Sequence, residues 1–127
     1  MKKSYLDLTA LILRIGFGAM MIPHGLKKLD KLNNPISELA FTDPLGMGSK
    51  NSLIAAAVVE LLFPVLVMLG AKVRITTLPL IATMVIAAFI VHEGDSFSDR
   101  EPALLFLCGY VAIWLLGAGK YSVKSLR

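Results

Sequence analysis

The 127-residue chain has a single cysteine, Cys108, so neither an intrachain disulfide nor CxxC dithiol chemistry is available to it. Redox compartment therefore cannot be read from cysteine usage. Charge is sparse: Asp, Glu, Lys and Arg make up 17% of the chain against 56% hydrophobic residues. Soluble domains run lower in apolar content and do not place it in runs this long. No small-x-small cleavage site follows the first apolar stretch, and Arg14 interrupts what would be the core of a signal peptide. The opening Met-Lys-Lys-Ser-Tyr is read instead as the start of a retained helix. No strand precedes Gly16-Phe-Gly18, which excludes a nucleotide-binding fingerprint and makes these glycines points of close approach between helices. A mean hydropathy of +0.71 then points to a small integral membrane protein of one domain, its apolar content divided among spanning segments.

Four apolar segments are present, predicting an all-α, four-transmembrane-helix up-down bundle. The first covers residues 6–25, long enough at about 1.5 Å per residue to cross most of a ~30 Å hydrocarbon layer, with Pro23 and Gly25 loosening its end. A long connection follows. Leu26, Leu29 and Leu32, spaced by three with charges between them, predict a short amphipathic stretch on the membrane surface. Asn33-Asn34-Pro35 and Asp43-Pro44-Leu45-Gly46 are turn signals, with a further half-buried helical turn expected over 36–41. A loop of this length is often functional, here as a cap over one end of the bundle or a docking element. The second span covers 53–70, where Pro64 cannot donate to the Glu60 carbonyl and bends the helix. A tight basic link leads to the third span, 75–92. An acidic loop precedes Pro102, which opens the fourth span at 103–117.

Lys2, Lys3, Lys72, Arg74, Lys120, Lys124 and Arg127 fall on the side holding both termini. Lys27, Lys28, Lys31, Lys50 and Arg100 fall on the other, together with most of the acids. The excess places both termini on the cytoplasmic side; the membrane expected is a bacterial cytoplasmic (inner) membrane.

Polar groups inside apolar spans are costly and face a partner or a cavity. Arg14 and Glu60 both fall eight or nine residues from a helix end, so a pair near mid-membrane is expected. Two readings of it are open: a structural clamp that fixes helix register, or a guanidinium donating to a carbonyl or anionic ligand. His24, Lys28, His92, Glu93 and Glu101 converge on the outer ends of helices, where histidine can exchange protons near neutral pH. His24 has no ligand partner at i+3 or i+4, so no metal site is expected. The methionines fill gaps, and Trp114 is an interface anchor. Nothing suggests nucleic-acid binding.

Arg14 followed by Pro23-His24-Gly25 and Lys28, then Glu60, resembles the DoxX family of small four-helix membrane proteins. His92, Glu101 and Gly117-Ala-Gly119 extend the likeness. Where relatives carry glycines after the helix-two glutamate, this chain has Leu61-Leu62-Phe63-Pro64. The family takes its name from a subunit associated with quinone-linked sulfur oxidation. The resemblance implies ligand- or proton-binding positions at Arg14, His24, Lys28, Glu60, His92 and Glu101; no catalytic residue is assigned.

The chain has no haem-binding pair within a helix core, no flavin motif and no dithiol, so electrons must come from a partner or from a bound molecule. The leading expectation is an accessory subunit of a membrane redox system that holds a quinone or similar lipophile in the bundle, with no covalent cofactor. A non-catalytic assembly or anchoring protein for a partner complex is the alternative. A small proton-linked transporter, which would need to form a homo-oligomer, is a third.

Overall fold

The computed structural model describes residues 2–32, 46, 48–91 and 94–123. Within them the chain is helical and contains no strand. Helix α1 runs Lys3–Lys31, α2 Ser49–Leu69 and α3 Val73–Ile86, which passes into a π-helical segment, Ala87–Val91; α4 runs Phe97–Leu116. The turn expected at 33–35, the turn expected at 43–46 apart from Gly46, the helical turn over 36–41, and His92 and Glu93 lie outside the described residues.

Helix α1 does not end at Gly25. It continues to Lys31 and absorbs the expected surface stretch as its own last turns. Pro23 removes only one backbone donor, and Lys28 and Lys31 in the final turn complement the helix dipole. Leu26 and Leu29 are accordingly exposed on the helix flank. Helix α4 starts at Phe97 rather than after Pro102. Ser96 precedes it, Asp99 stands in its first turn, and the Ser96 hydroxyl lies 3.2 Å from Asp99 Oδ2. Arg100 is pinned to the π-helical segment by Nε donating 3.0 Å to the Ala88 carbonyl.

Three helical stretches are long and apolar enough to cross a membrane: Lys3–Lys31, Lys50–Leu69 and Val73–Val91. Helix α4 carries Asp99, Arg100 and Glu101 near its start, so its apolar part is shorter.

Contacts between α1 and α2 run in opposite chain directions, from Lys28 against Glu60 to Arg14 against Met68. Small residues make this approach possible. A Cβ at Gly18 would stand 2.4 Å from the Met68 side chain, and one at Gly25 would stand 2.7 Å from Leu61. Gly16 plays no such part, since a Cβ there meets nothing within 4 Å. Helix α4 closes on α1 through Gly109, whose missing side chain is replaced by the Phe17 ring. The shared interior holds Met21, Val67, Leu80, Met84, Tyr110 and Ile113.

Threonines in α3 spend their hydroxyls on their own helix, Thr77 on the Val73 carbonyl at 2.6 Å and Thr83 on Pro79 at 2.8 Å. That satisfies hydroxyls among apolar side chains without drawing on another helix.

Candidate functional site

The expected Arg14–Glu60 pair does not form. Both side chains do turn inward: Arg14 is 0% exposed and Glu60 1%. Their partners differ because α1 continues to Lys31, and the antiparallel register sets Glu60 beside Lys28 and Arg14 beside the end of α2.

Arg14 completes the C-terminus of α2. A helix leaves its last four carbonyls without intrahelical donors. Here all four are satisfied. Gly70, left-handed at φ +78°, lets the chain turn back so that its N–H reaches the Val67 carbonyl at 3.0 Å. The N–H of Ala71 reaches Leu66 at 2.9 Å, completing a Schellman pair. Arg14 Nη1 donates to Met68 at 3.0 Å and, more weakly, to Val67 at 3.4 Å. Val123 N–H reaches Leu69 at 3.1 Å. The other guanidinium arm, Nη2, donates to the Tyr121 carbonyl. The segment after α4 thus folds back over this end of the bundle, held also by Lys120 N–H on Asp7 Oδ1 at 3.2 Å. No carboxylate among the described residues lies within ion-pair distance of Arg14. The negative end of the α2 dipole and three carbonyls take that place. Of the guanidinium nitrogens, Nε is buried without a hydrogen-bond partner among the described residues.

The second polar centre lies at the opposite end of α1. Lys28 Nζ is 2.9 Å from Glu60 Oε1, the lysine side chain 22% exposed and the glutamate 2%. Glu60 Oε2 is buried and has no hydrogen-bond partner among the described residues. His24 is half-buried one turn before Lys28, its ring edge-on to Phe106 with centroids 5.2 Å apart, and within electrostatic reach of both Lys28 and Glu60. Tyr110 also feels the Glu60 charge. It is fully buried, with its hydroxyl donating 3.1 Å to the Phe17 carbonyl. Phe17, Phe106 and Tyr110 form an aromatic wall between α1 and α4.

Of the positions singled out in the sequence, His24, Lys28 and Glu60 come together, and Arg14 stands apart from them. Glu101 is exposed on α4 and forms no ion pair with the cluster among the described residues. His92 lies outside the described residues. No group of three or more His, Cys, Asp or Glu able to hold a metal ion occurs among the described residues. Tyr110, Asp7 and Gly109 were missed. The spacing Phe106, Tyr110, Ile113 carried the signal for Tyr110, since it marks the inward face of α4.

An all-helical chain with three membrane-length apolar helices and buried ionic groups belongs to the class of polytopic helical membrane proteins. The chain matches the DoxX family over residues 9–93, more than half its length, and belongs to that family. Glu101 and Gly117-Ala-Gly119 lie beyond the matched residues. No curated protein and no solved structure matches it.

Proposed function

We propose that the protein is a four-span, up-down membrane subunit that holds a quinone or similar lipophilic molecule beside His24, Lys28 and Glu60. In this reading it serves a redox partner as an accessory subunit of an oxidoreductase system rather than acting as a self-sufficient enzyme. Both termini lie on the cytoplasmic side of a bacterial inner membrane. The observation that carries the reading is Glu60: one carboxylate oxygen is held by Lys28, and the other is buried without a partner. The orphaned buried acceptor can take the hydroxyl of a reduced quinone, while Lys28 and His24 can donate to the carbonyls of the oxidised form, beside an aromatic wall. His24 adds to that end of α1 an imidazole that can donate or accept a hydrogen bond. Arg14 has most of its donors committed to backbone carbonyls, so its part is positional.

The test is gentle extraction followed by mass spectrometry of co-purifying lipophiles, comparing wild type with His24→Ala and Glu60→Gln. A quinone present in wild type and lost in both variants supports the reading. Identical lipid profiles with no quinone in any of them count against it.

The Arg14 clamp favours a second reading, an assembly or anchoring protein whose buried charges set helix register only. Exchanging Lys28 and Glu60 then preserves function, whereas a ligand site does not survive the exchange.

A further inference from the structure

The end of the molecule opposite the His24–Lys28–Glu60 cluster carries a charge pattern that the functional reading leaves unused. Lys2, Lys3, Lys72, Arg74 and Lys120 are all exposed there. The acid at that end among the described residues, Asp7, is buried and accepts the Lys120 N–H. Every exposed charge at that end among the described residues is therefore positive. Between the start of α3 and the end of α4 lies an open cleft of about 470 Å³, lined by Lys72, Arg74, Ile75, Leu116, Gly117 and Gly119. Gly117, at φ +78°, turns the chain beside Arg74, where a Cβ would stand 3.5 Å from Nη2, and Gly119, at φ +73°, turns it toward α1, where a Cβ would stand 3.2 Å from Ala10. Helix α3 has no acid in its first turn to compete for the cations.

Arg74 is fixed at the rim. Its Nε and Nη2 donate to the Trp114 and Leu115 carbonyls at 3.2 and 3.4 Å, and the Trp114 indole N–H returns a bond to the Arg74 carbonyl at 3.1 Å. Five guanidinium N–H groups exceed what these two bonds use. A partly exposed tryptophan at a helix end marks the headgroup level of a bilayer. Ile75, which lines the same cleft, is 64% exposed. One wall is thus cationic and another apolar and outward-facing, at the depth where headgroups meet acyl chains.

We propose that this cleft binds the phosphate of an anionic phospholipid, with Lys72 and Arg74 taking the charge and Ile75 meeting the acyl chain. Basic pockets between membrane helices recognise acidic headgroups in this way. The apolar wall distinguishes a lipid from free phosphate, which has no use for it.

The test is native mass spectrometry of detergent-released protein titrated with phosphatidylglycerol and, in parallel, with phosphatidylcholine. Wild type retains phosphatidylglycerol in preference. Each charge near an acidic surface is worth about 1 kcal/mol, or about fivefold in binding. Lys72→Gln therefore lowers retention about fivefold, and Lys72→Gln with Arg74→Gln roughly thirtyfold. Arg74 also holds the end of α4, so the single Lys72→Gln variant decides the matter if the double variant does not fold. Lys27→Gln, at the far end of α1, leaves retention unchanged. Equal retention of the two lipids, or undiminished retention in Lys72→Gln, overturns the proposal. Displacement of the adduct by millimolar inorganic phosphate overturns the lipid assignment in favour of a soluble phosphate.

Discussion

Lys28 Nζ and Glu60 Oε1 stand 2.9 Å apart across the α1–α2 interface, with the lysine reaching partly into solvent and the glutamate enclosed. That asymmetry makes the two partners unequal. Removing Lys28 strands a buried carboxylate, at a cost of about 3–5 kcal/mol for a broken buried pair. Removing the charge of Glu60 leaves an ammonium that can hydrate. Lys28→Ala is therefore expected to lower the unfolding midpoint in detergent more than Glu60→Gln does. The double Lys28→Met, Glu60→Met variant should return most of the loss. Equal effects of the two single changes would remove the asymmetry from the account.

Arg14→Ala should be among the most destabilising single changes in the chain. It leaves the Met68 and Tyr121 carbonyls without their donor and opens a void. Unsatisfied buried groups cost about 1–3 kcal/mol each, and the cavity adds to that. Arg14→Lys should recover only part, because one ammonium cannot span acceptors that the forked guanidinium reaches from two arms. Thermal unfolding monitored by circular dichroism decides this; full stability in Arg14→Lys would mean that charge alone matters.

Two glycines two residues apart should respond with opposite sign. Gly16→Ala meets open space and gains helix propensity, roughly 0.5–1 kcal/mol of stabilisation. Gly18→Ala drives a methyl group against Met68 and the Pro64 carbonyl, and overpacking of that kind costs about 1–3 kcal/mol. The comparison uses the same unfolding assay for both variants, and a destabilised Gly16→Ala would show that its face is covered.

Topology is read by single-cysteine labelling at Ser98 and Ser125 in a Cys108→Ser background. The proposed orientation expects an impermeant reagent to label Ser98→Cys from outside intact cells and Ser125→Cys only after permeabilisation. Labelling of Ser125→Cys from outside reverses it.

Composition and hydropathy were enough to mark a helical membrane chain, because apolar runs of bilayer length have no other stable use. Helix ends were less legible. Pro23-His24-Gly25 looks locally like a terminus, yet Gly25 serves contact with Leu61, and α1 runs on. Pro102 likewise looks like a helix start, although α4 begins earlier at Phe97. Local signals of this kind yield to packing partners that lie far away in the chain.

The inward turn of Arg14 and Glu60 followed from the amino acids alone, since neither side chain tolerates hydrocarbon. Which groups they meet did not follow. That depends on the sliding register of two antiparallel helices, set by Gly18, Gly25 and the tight turn at Gly70, and on a terminal segment that folds back to Asp7, Arg14 and Leu69. A shift of two turns separates a guanidinium facing a carboxylate from one facing a helix end, and only long-range packing selects between them.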